Sequence, residues 1–336
     1  MADPQDAVDG LAREGDFHGV VRVDRGGELL LERAYGLADR RHGIAMTPQH
    51  QLSIASGSKA FTALAVMSLV GDGVLGLDTT ARSLLGGDLP LIDDAVTIEQ
   101  LLAHRSGIGD YLDEDDGGEI TDYVLPVPVH RLDSTEAFVP ILDGFPMAFP
   151  PGERFLYCNG GFVVLALLAE RASGVAYHDL VRQRVCRPAG MADTDFFRTD
   201  ALPGLAAESY VRLDGQWRTN LLHMPVLATG DGGIYSTVAD LTAFWTALFD
   251  GRIVPTNVVA QMVHPRSQSP EGPRRYGLGF WLRESTDVVW LEGYDAGVSF
   301  RSVHDPGSGL THTVIGATDV GAWPLSRLLD AELGLA

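Results

Sequence analysis

The sequence contains almost no lysine. Of its 25 basic residues, 24 are arginine and only Lys59 is lysine. A GC-rich genome that favours arginine codons explains the general bias, but it does not explain the exception. Arginine keeps its proton at every biological pH, whereas a desolvated lysine ammonium can be tuned to release one. Lys59 is therefore a candidate catalytic base.

Basic charge, cysteine and long apolar stretches are also scarce. Forty-five acidic residues against 25 basic ones give a net charge of -20, so neither nucleic acid nor a membrane surface is expected as a partner. Cys158 and Cys186 are too few for a disulfide framework and lack neighbouring zinc ligands, which predicts free thiols. No secretory signal or bilayer-spanning stretch is recognisable, so a cytoplasmic location is expected.

The stretch around the single lysine has the pattern of a buried helix. Residues 52–70 are largely apolar, and a Gly-Asp-Gly stop signal follows at 71–73. Ser56 would lie in the first turn, with Lys59 three residues later on the same face. A serine hydroxyl becomes a good nucleophile only when a neighbour takes its proton, and a helix N-terminus favours developing anions. The pair predicts a serine nucleophile activated by lysine.

A second polar pair follows a Pro-Gly turn in the middle of the chain. After residues 150–152 the chain passes through an extended Tyr157-Cys158-Asn159 and into an apolar helix that ends near Gly174. Residues two apart in an extended segment point to the same side. Tyr157 and Asn159 would therefore offer one cavity a phenol for proton transfer and an amide to orient a carbonyl.

The signatures of other hydrolases are missing from the sequence. There is no Gly-x-Ser-x-Gly elbow of a Ser-His-Asp hydrolase and no His-Glu-x-x-His spacing of a metallohydrolase. The ten histidines are scattered, and His104, His223 and His312 are interpreted as structural. No metal and no organic cofactor is expected.

Together with their flanking motifs, these residues resemble the serine β-lactamase-like family, which includes class C β-lactamases, D-specific peptidases and esterases. The resemblance extends over nearly the whole chain. Besides the serine, lysine, tyrosine and asparagine, the similar segments are, in order, F-H-G-V-V at 17–21, E-R-A-Y-G-L-A-D at 32–39, V-T-I-E-Q-L-L-A-H-R-S-G-I-G-D-Y at 96–111, P-A-G-M-A-D-T at 188–194, T-G-D-G-G-I-Y-S-T-V-A-D-L at 229–241 and Y-G-L-G-F at 276–280.

The resemblance implies an α+β fold of the β-lactamase/transpeptidase type, with an antiparallel sheet flanked by helices and an inserted, mainly helical region. Residues 1–75 and 230–336 would form one domain from both chain ends, residues 76–229 the helical domain, and the active-site cleft would lie between them. Strand-like alternation at 19–24 and 299–314 is consistent with this division, and the middle is expected to carry most of the long apolar helices.

The family's third motif is where this sequence departs from the pattern. Relatives have Lys-Thr-Gly, or a histidine variant, on the strand that lines the cleft, and the cation helps to hold a substrate carboxylate. Aligning the glycines puts Leu291 at the basic position, Glu292 beside it, and retains Gly293. Gly293 would let the strand approach a ligand closely, and the backbone N–H groups of Tyr294 and Ser56 would form the oxyanion hole.

The resemblance further implies a double displacement with a covalent acyl-serine. Lys59 and Tyr157 would deprotonate Ser56, Tyr157 would protonate the leaving group, and Asn159 would hold the substrate and keep the lysine in place. The sequence leaves open which of Lys59 and Tyr157 is the main base.

The missing cation favours a carboxylesterase-type hydrolase that acts on a small-molecule ester or amide. Alternatives that stay open are a transacylase, a D-specific peptidase or β-lactamase, and a catalytically silent binding protein; the oligomeric state is also open. Tyr111, Tyr123, Phe145 and Phe149 are expected to form an apolar acyl pocket, and the acidic run at 113–119 a solvated loop.

Overall fold

The helices and strands of this chain come from a computed structural model that describes residues 4–113, 117–270 and 272–335. The α-helices are α1 (Pro4–Glu14), α2 (Lys59–Gly71), α3 (Arg82–Leu85), α4 (Ile98–Leu102), α5 (Val139–Leu142), α6 (Asn159–Ser173), α7 (Tyr177–Val181), α8 (Arg187–Ala189), α9 (Val238–Phe249), α10 (Thr256–Met262) and α11 (Ala322–Leu333).

The strands are mostly short and are concentrated towards the two chain ends. They are β1 (Gly19–Arg25), β2 (Glu28–Tyr35), β3 (Leu37–Asp39), β4 (Ile44–Ala45), β5 (Leu52–Ser53), β6 (Tyr210–Leu213), β7 (Gln216–Thr219), β8 (Tyr235–Ser236), β9 (Ser267–Gln268), β10 (Arg274–Tyr276), β11 (Trp281–Arg283), β12 (Val289–Asp295), β13 (Val298–Asp305) and β14 (Leu310–Gly316).

One antiparallel sheet of eight strands forms the centre of the molecule, in the order β2-β1-β14-β13-β12-β11-β10-β9. β1 pairs with β14, with Val20 opposite Ile315, so the two ends of the chain are joined in one sheet. The strands predicted at 19–24 and 299–314 are confirmed, the second as the hairpin of β13 and β14. The predicted α+β class is confirmed as well.

Helices cover both faces of the sheet. α1 and α11 pack on one face, where Val8 and Leu325 are each 1% exposed. α2 and α9 lie in the other apolar core, where the rings of Phe61 and Phe244 stack with centroids 5.0 Å apart. Burying one such side chain contributes about 1.5–3 kcal/mol to the free energy of unfolding. α2 is apolar on all sides and almost wholly buried, which confirms the predicted buried helix.

The middle of the chain is less helical than expected. Of the described residues, those in helices of eleven or more positions belong to α1, α2, α6, α9 and α11, and only α6 lies between residues 76 and 229. The prediction that the middle carries most of the long helices is wrong, because prolines and turn glycines divide this region into short segments. The domain division itself stays a prediction.

Two further segments bear on the expectations from sequence. Of the predicted solvated loop at 113–119, Asp113 and residues 117–119 are exposed, while 114–116 lie outside the described residues. In the part of the chain that the structure describes, no single helix is long and apolar enough to cross a membrane. By length and composition alone, residues 159–173 and 177–189 could do so as a pair, bent by 84°.

Candidate active site

Ser56 lies in a tight turn that is held by hydrogen bonds of the Ser58 hydroxyl. The turn is a 3-10 helix, Ala55–Ser58, which leads directly into α2, so the serine precedes the α-helix rather than lying in its first turn. Ala55 has a φ of 44°, in the left-handed region that strains a residue with a Cβ. The Ser58 hydroxyl donates to the Ala55 carbonyl at 2.8 Å and accepts from the Ile234 N–H at 3.0 Å. These bonds fix the backbone that presents Ser56 to the cleft.

The Lys59 side chain is buried beside this turn and has hydrogen-bond acceptors around its tip. The residue is only 2% exposed. Its Nζ donates to Ser56 Oγ at 2.8 Å, to Asn159 Oδ1 at 2.7 Å and to the Asp231 carbonyl oxygen at 2.7 Å. A lysine ammonium carries three N–H donors, and each of the three acceptors can take one. The predicted Ser-Lys pair is therefore in direct contact.

Tyr157 and Asn159 approach Lys59 from the segment that leads into α6. Asn159 is the first residue of that helix, and its side-chain amide oxygen Oδ1 accepts a hydrogen bond from the lysine. The Tyr157 ring centroid lies 4.9 Å from Lys59 Nζ, and the ring stacks on Trp281 with a centroid distance of 6.0 Å. The structure thus brings the pair of Ser56 and Lys59 together with the pair of Tyr157 and Asn159. Their chemical roles stay predictions.

His104 supports this segment from behind. Its Nδ1 accepts the Cys158 N–H at 3.0 Å, its carbonyl accepts the Leu156 N–H at 2.9 Å, and its ring lies 4.4 Å from the Tyr157 ring. Burial, assisted by the nearby charge of Lys59, holds the pKa of His104 well below its usual value. The imidazole is therefore neutral and can accept the Cys158 bond, which is a structural role, as predicted.

β12 passes the serine turn at a point where only glycine fits. A Cβ on Gly293 would lie 2.1 Å from the carbonyl oxygen of Ile54 and 3.0 Å from the Ser56 nitrogen. Both are backbone atoms, so neither could move aside as a flexible side chain would. Tyr294 follows on the same strand, is 39% exposed and lines the cleft. Gly293 and Tyr294 thus lie beside Ser56, and their part in an oxyanion hole stays a prediction.

Asp110 is a buried carboxylate that the sequence prediction missed. It accepts the backbone N–H groups of Asn159 at 2.5 Å and Gly160 at 2.7 Å, at the start of α6. Burial raises the pKa of Asp110 to about 6, although these hydrogen bonds act in the opposite direction. The signal in the sequence was its place at the end of the motif at 96–111.

Asp231 is a second buried acid that the prediction missed. Its Oδ2 accepts the Tyr111 hydroxyl at 2.5 Å, while its backbone carbonyl accepts from Lys59. Burial raises the pKa of Asp231, and the charge of Lys59 and the hydrogen bond from Tyr111 oppose that rise. The available signal was an acid flanked by glycines inside the motif at 229–241.

Comparisons with known proteins show the family of this chain. The model of the Beta-lactamase family matches residues 5–323. The chain belongs to the β-lactamase family. Penicillin-binding protein 4* of Bacillus subtilis (strain 168) is 28% identical over 301 residues, which cover 85% of this chain and 64% of the relative. The chain therefore spans slightly less than two thirds of that relative's length.

Solved structures also superpose closely on the chain. The penicillin-binding protein from Bacillus halodurans is 32% identical, has a TM-score of 0.91, and the match covers 96% of this chain and 99% of that one. EstCE1, a hydrolase with promiscuous acyltransferase activity, is 21% identical with a TM-score of 0.77 and covers 98% of both chains, which shows a shared fold. The predicted β-lactamase/transpeptidase-like fold is confirmed.

Leu291 and Glu292, the two residues of β12 before Gly293, are the candidates for the cation position of the family's third motif, Glu292 if the register differs by one. Leu291 is 2% exposed and belongs to the same apolar core as α2. Glu292 lies opposite Arg301 on β13, accepts from its Nε at 2.8 Å and lies 3.4 Å from Arg274. Neither position of β12 therefore offers a cation to a substrate.

Two cavities meet at Ser56. The larger, of about 330 Å³, extends past Tyr157 and will be called the cleft. The smaller, of about 40 Å³, extends past Asn159 and will be called the narrow pocket. The cleft is lined, among others, by Arg154, Phe155, Tyr157, Arg274, Trp281 and Glu292. The narrow pocket is lined, among others, by Tyr111, Tyr123, Leu125, Asn159, Met224 and Asp231.

The predicted aromatic acyl pocket is half right. Tyr111 and Tyr123 line the narrow pocket, but Phe145 and Phe149 do not. Phe149 is 6% exposed and packs behind Gly107, whose Cβ would lie 2.2 Å from the Phe149 carbonyl oxygen, while Phe145 is 38% exposed. The prediction is wrong for the two phenylalanines, because the segment that carries them packs against residues 107 and 109 instead. That the two tyrosines bind an acyl group stays a prediction.

The cysteines take no part in this site. Cys158 and Cys186 are both buried and free, which confirms the prediction of free thiols. Burial raises the pKa of both thiols, that of Cys186 to about 12, so both stay protonated. Across residues 4–113, 117–270 and 272–335, no group of three or more His, Cys, Asp or Glu side chains is arranged to hold a metal ion.

Proposed function

We propose that this β-lactamase-family protein is a serine hydrolase that cleaves a small neutral ester through an acyl intermediate on Ser56. The observation that carries the proposal is that Leu291 and Glu292, on β12 beside the serine, offer no cation to a substrate. Leu291 occupies the cation position and is buried in the core, and Glu292 is engaged by Arg301 and Arg274. A substrate carboxylate would lose its anchor at this strand, whereas a neutral ester needs none.

The first half-reaction forms the acyl-serine. In its neutral form Lys59, whose Nζ lies 2.8 Å from Ser56 Oγ, takes the hydroxyl proton as Oγ bonds to the carbonyl carbon of the ester. The backbone N–H groups of Ser56 and Tyr294 stabilise the negative charge on the carbonyl oxygen. As the bond between that carbon and the alcohol oxygen breaks, Tyr157 donates its phenolic proton to the leaving oxygen and takes the proton from Lys59.

The second half-reaction uses water in place of the alcohol. The water oxygen bonds to the acyl carbon while Tyr157 takes one of its protons. The bond between the carbon and Ser56 Oγ then breaks, and a proton returns through Lys59 to the serine. One ester and one water become one acid and one alcohol, and nothing is oxidised or reduced.

The two cavities give the substrate a direction. Tyr157 must lie next to the leaving oxygen, so the alcohol part belongs in the cleft. Asn159 lies on the other side of Ser56, so the acyl part belongs in the narrow pocket. The volumes of about 330 and 40 Å³ favour a short acyl chain and a larger alcohol.

A transacylase is the second candidate, and the width of the cleft favours it. Once the first alcohol has left, a space of about 330 Å³ on the Tyr157 side can admit an acceptor alcohol or amine in place of water. EstCE1, which shares the fold, is described as a hydrolase with promiscuous acyltransferase activity. An added acceptor would then raise the rate of p-nitrophenol release and yield the acylated acceptor.

The test is the hydrolysis of p-nitrophenyl acetate, butyrate and octanoate, with nitrocefin and a D-alanyl p-nitroanilide as competing substrate classes. We expect the acetate and butyrate to be turned over best, with loss of activity in Ser56→Ala and in Lys59→Arg. The arginine variant keeps a positive charge but cannot release its proton. Ser68→Ala is the matched control, since this serine lies on α2 and donates only within its own helix, to the Ala65 carbonyl.

Several outcomes would contradict the proposal. Ester hydrolysis that persists in Ser56→Ala would exclude the acyl-serine. A larger kcat/KM for nitrocefin or for the anilide than for every ester would favour a β-lactamase or a D-specific peptidase. A wild-type protein that neither hydrolyses these substrates nor reacts with a fluorophosphonate would favour a silent binding protein.

A further inference from the structure

Lys59 can act as a base only if its lone pair points at Ser56. A neutral lysine amine has two N–H donors and one lone pair in a tetrahedral arrangement. Of the acceptors around Nζ, Asn159 Oδ1 and the Asp231 carbonyl oxygen have no proton to give, whereas the Ser56 hydroxyl has one. If the two N–H donors stay on Asn159 and Asp231, the lone pair is directed at the serine.

One short segment contacts both residues that carry these acceptors. Asp110 accepts the backbone N–H of Asn159 at 2.5 Å, and the Leu112 carbonyl accepts the Asn159 side-chain Nδ2 at 2.9 Å. Between them, the Tyr111 hydroxyl donates to the Asp231 carboxylate at 2.5 Å. Three consecutive residues thus hold the two groups that receive the lysine N–H donors. Residues 110–112 will be called the bracket.

The bracket also decides which way the Asn159 amide faces. If the amide were turned over, its NH₂ group would face the N–H donors of Lys59 and its oxygen would face the Leu112 carbonyl. Both contacts would be repulsive, because donor would meet donor and acceptor would meet acceptor. The Leu112 carbonyl therefore keeps Oδ1 towards the lysine.

We propose that the bracket positions Lys59 for catalysis, with Asp110 as the positioning residue at the start of α6 and Tyr111 as the one that holds Asp231. The inference rests on the proposed acyl-serine chemistry and assigns no contact with substrate to Asp110. A carboxylate suits the position because its two oxygens accept the N–H groups of both Asn159 and Gly160. An asparagine there would turn its own NH₂ towards one of these donors.

Protonation of Asp110 would weaken the bracket in the same way, because one oxygen would then carry a proton. The pKa of Asp110, raised by burial to about 6, puts this change within reach of an activity measurement. The titratable groups around Asp110 are the carboxylate of Asp231, the phenols of Tyr111 and Tyr123 and the thiol of Cys158. Raised pKa values keep both phenols and the thiol protonated above pH 6.

The experiment compares Asp110→Asn with Thr237→Ala, which removes the side-chain cap of α9 away from the site. Thr237 accepts the Asp240 N–H at 3.1 Å, so both variants weaken the N-terminus of one helix. The rate of Ser56 phosphonylation by a fluorophosphonate and the kcat and KM for p-nitrophenyl acetate would be measured from pH 5 to 9. Thermal unfolding would be followed for each variant.

For Asp110→Asn we expect phosphonylation and kcat to fall by about 10- to 100-fold, with KM within about threefold of wild type. Wild-type rates should fall below about pH 6 as Asp110 takes up a proton, and this fall should be absent in Asp110→Asn. Thr237→Ala should keep the wild-type rates and pH profile. Equal labelling rates in wild type and Asp110→Asn, or an equal loss in Thr237→Ala, would overturn the inference alone. A wild-type serine that is not labelled would instead refute the proposed function on which it rests.

Tyr111→Phe gives a second test if Asp110→Asn does not fold. The ring stays in the narrow pocket, but the hydrogen bond to Asp231 is lost. We expect kcat and the phosphonylation rate to fall by about 5- to 20-fold without loss of the folded state. Unchanged rates in a folded Tyr111→Phe would refute the bracket as the device that holds Asp231.

Discussion

Gly293→Ala should move β12 away from Ser56 without removing any functional group from the site. The new Cβ would lie 2.1 Å from the Ile54 carbonyl oxygen, whereas a carbon and an oxygen normally stay about 3.3 Å apart. The strand and the serine turn must therefore separate by about 1 Å. A misplacement of about 1 Å can cost about 100-fold in rate, which corresponds to about 2.7 kcal/mol of transition-state stabilisation.

The assay is kcat/KM for p-nitrophenyl acetate together with the rate of fluorophosphonate labelling. Gly10→Ala is the matched control, because a Cβ at Gly10 in α1 meets nothing within 4 Å. That control should keep full activity and gain about 0.5–1 kcal/mol of stability, since alanine is the better helix residue. A folded Gly293→Ala whose kcat/KM and labelling rate stay within about threefold of wild type would refute the reasoning that β12 must lie this close to Ser56.

Three further predictions concern the proton donor, the core and pH. Tyr157→Phe should lower ester kcat by about 100-fold or more. The ring should keep its stacking on Trp281, so the melting temperature should barely change. A kcat near wild type would exclude the phenol as the proton donor. Ser302→Ala should cost about 1–3 kcal/mol in urea unfolding, without a change in kcat, because the buried Trp245 Nε1–H loses its acceptor at 2.8 Å; an unchanged unfolding free energy would contradict this. Asp110 binds its proton more tightly in the folded chain, so its ionisation should lower the unfolding free energy of the wild type by about 3 kcal/mol as the pH rises from about 4 to 6. Urea unfolding of Asp110→Asn over that range should lack this decline. An equal decline in both proteins would show that Asp110 does not titrate there.

The fold could be predicted where local pattern and family motifs agree. Alternation at 19–24 predicts β1, and the apolar stretch that ends at the Gly-Asp-Gly signal predicts α2. The middle of the chain was harder, since its motifs indicate a family but its prolines and glycines set the helix lengths. Expectations about long helices fail there for that reason.

The residues of the candidate site divide in a similar way. Ser56, Lys59, Tyr157 and Asn159 could be proposed from the sequence because a hydroxyl, a lysine amine, a phenol and an amide stand there in suitable spacings, and the structure brings them together. Gly293 could be placed only by aligning it with the glycine of the family's third motif, and the structure adds the reason that β12 and the serine turn leave no room for a Cβ there.

Asp110 and Asp231 could not be found in this way. Both act through contacts that join segments far apart in the chain: Asp110 meets the start of α6 about 50 positions later, and Asp231 meets Tyr111 about 120 positions earlier. An acidic residue next to a glycine has the same local pattern as a solvated turn. Only the tertiary structure shows that these carboxylates are buried and that hydrogen bonds hold them.

The same geometry explains why lysine stands at one position in a chain that otherwise uses arginine. Nζ of Lys59 is a single point with acceptors 2.7 to 2.8 Å away on three different segments, in a site that is 2% exposed. A guanidinium is planar and larger, directs its donors as a fork, and keeps its proton at any biological pH. It could carry the charge but could neither fit these three directions nor take the proton of Ser56. Lys59→Arg should therefore abolish turnover even where the protein folds, whereas turnover in a folded Lys59→Arg would show that charge alone suffices at position 59.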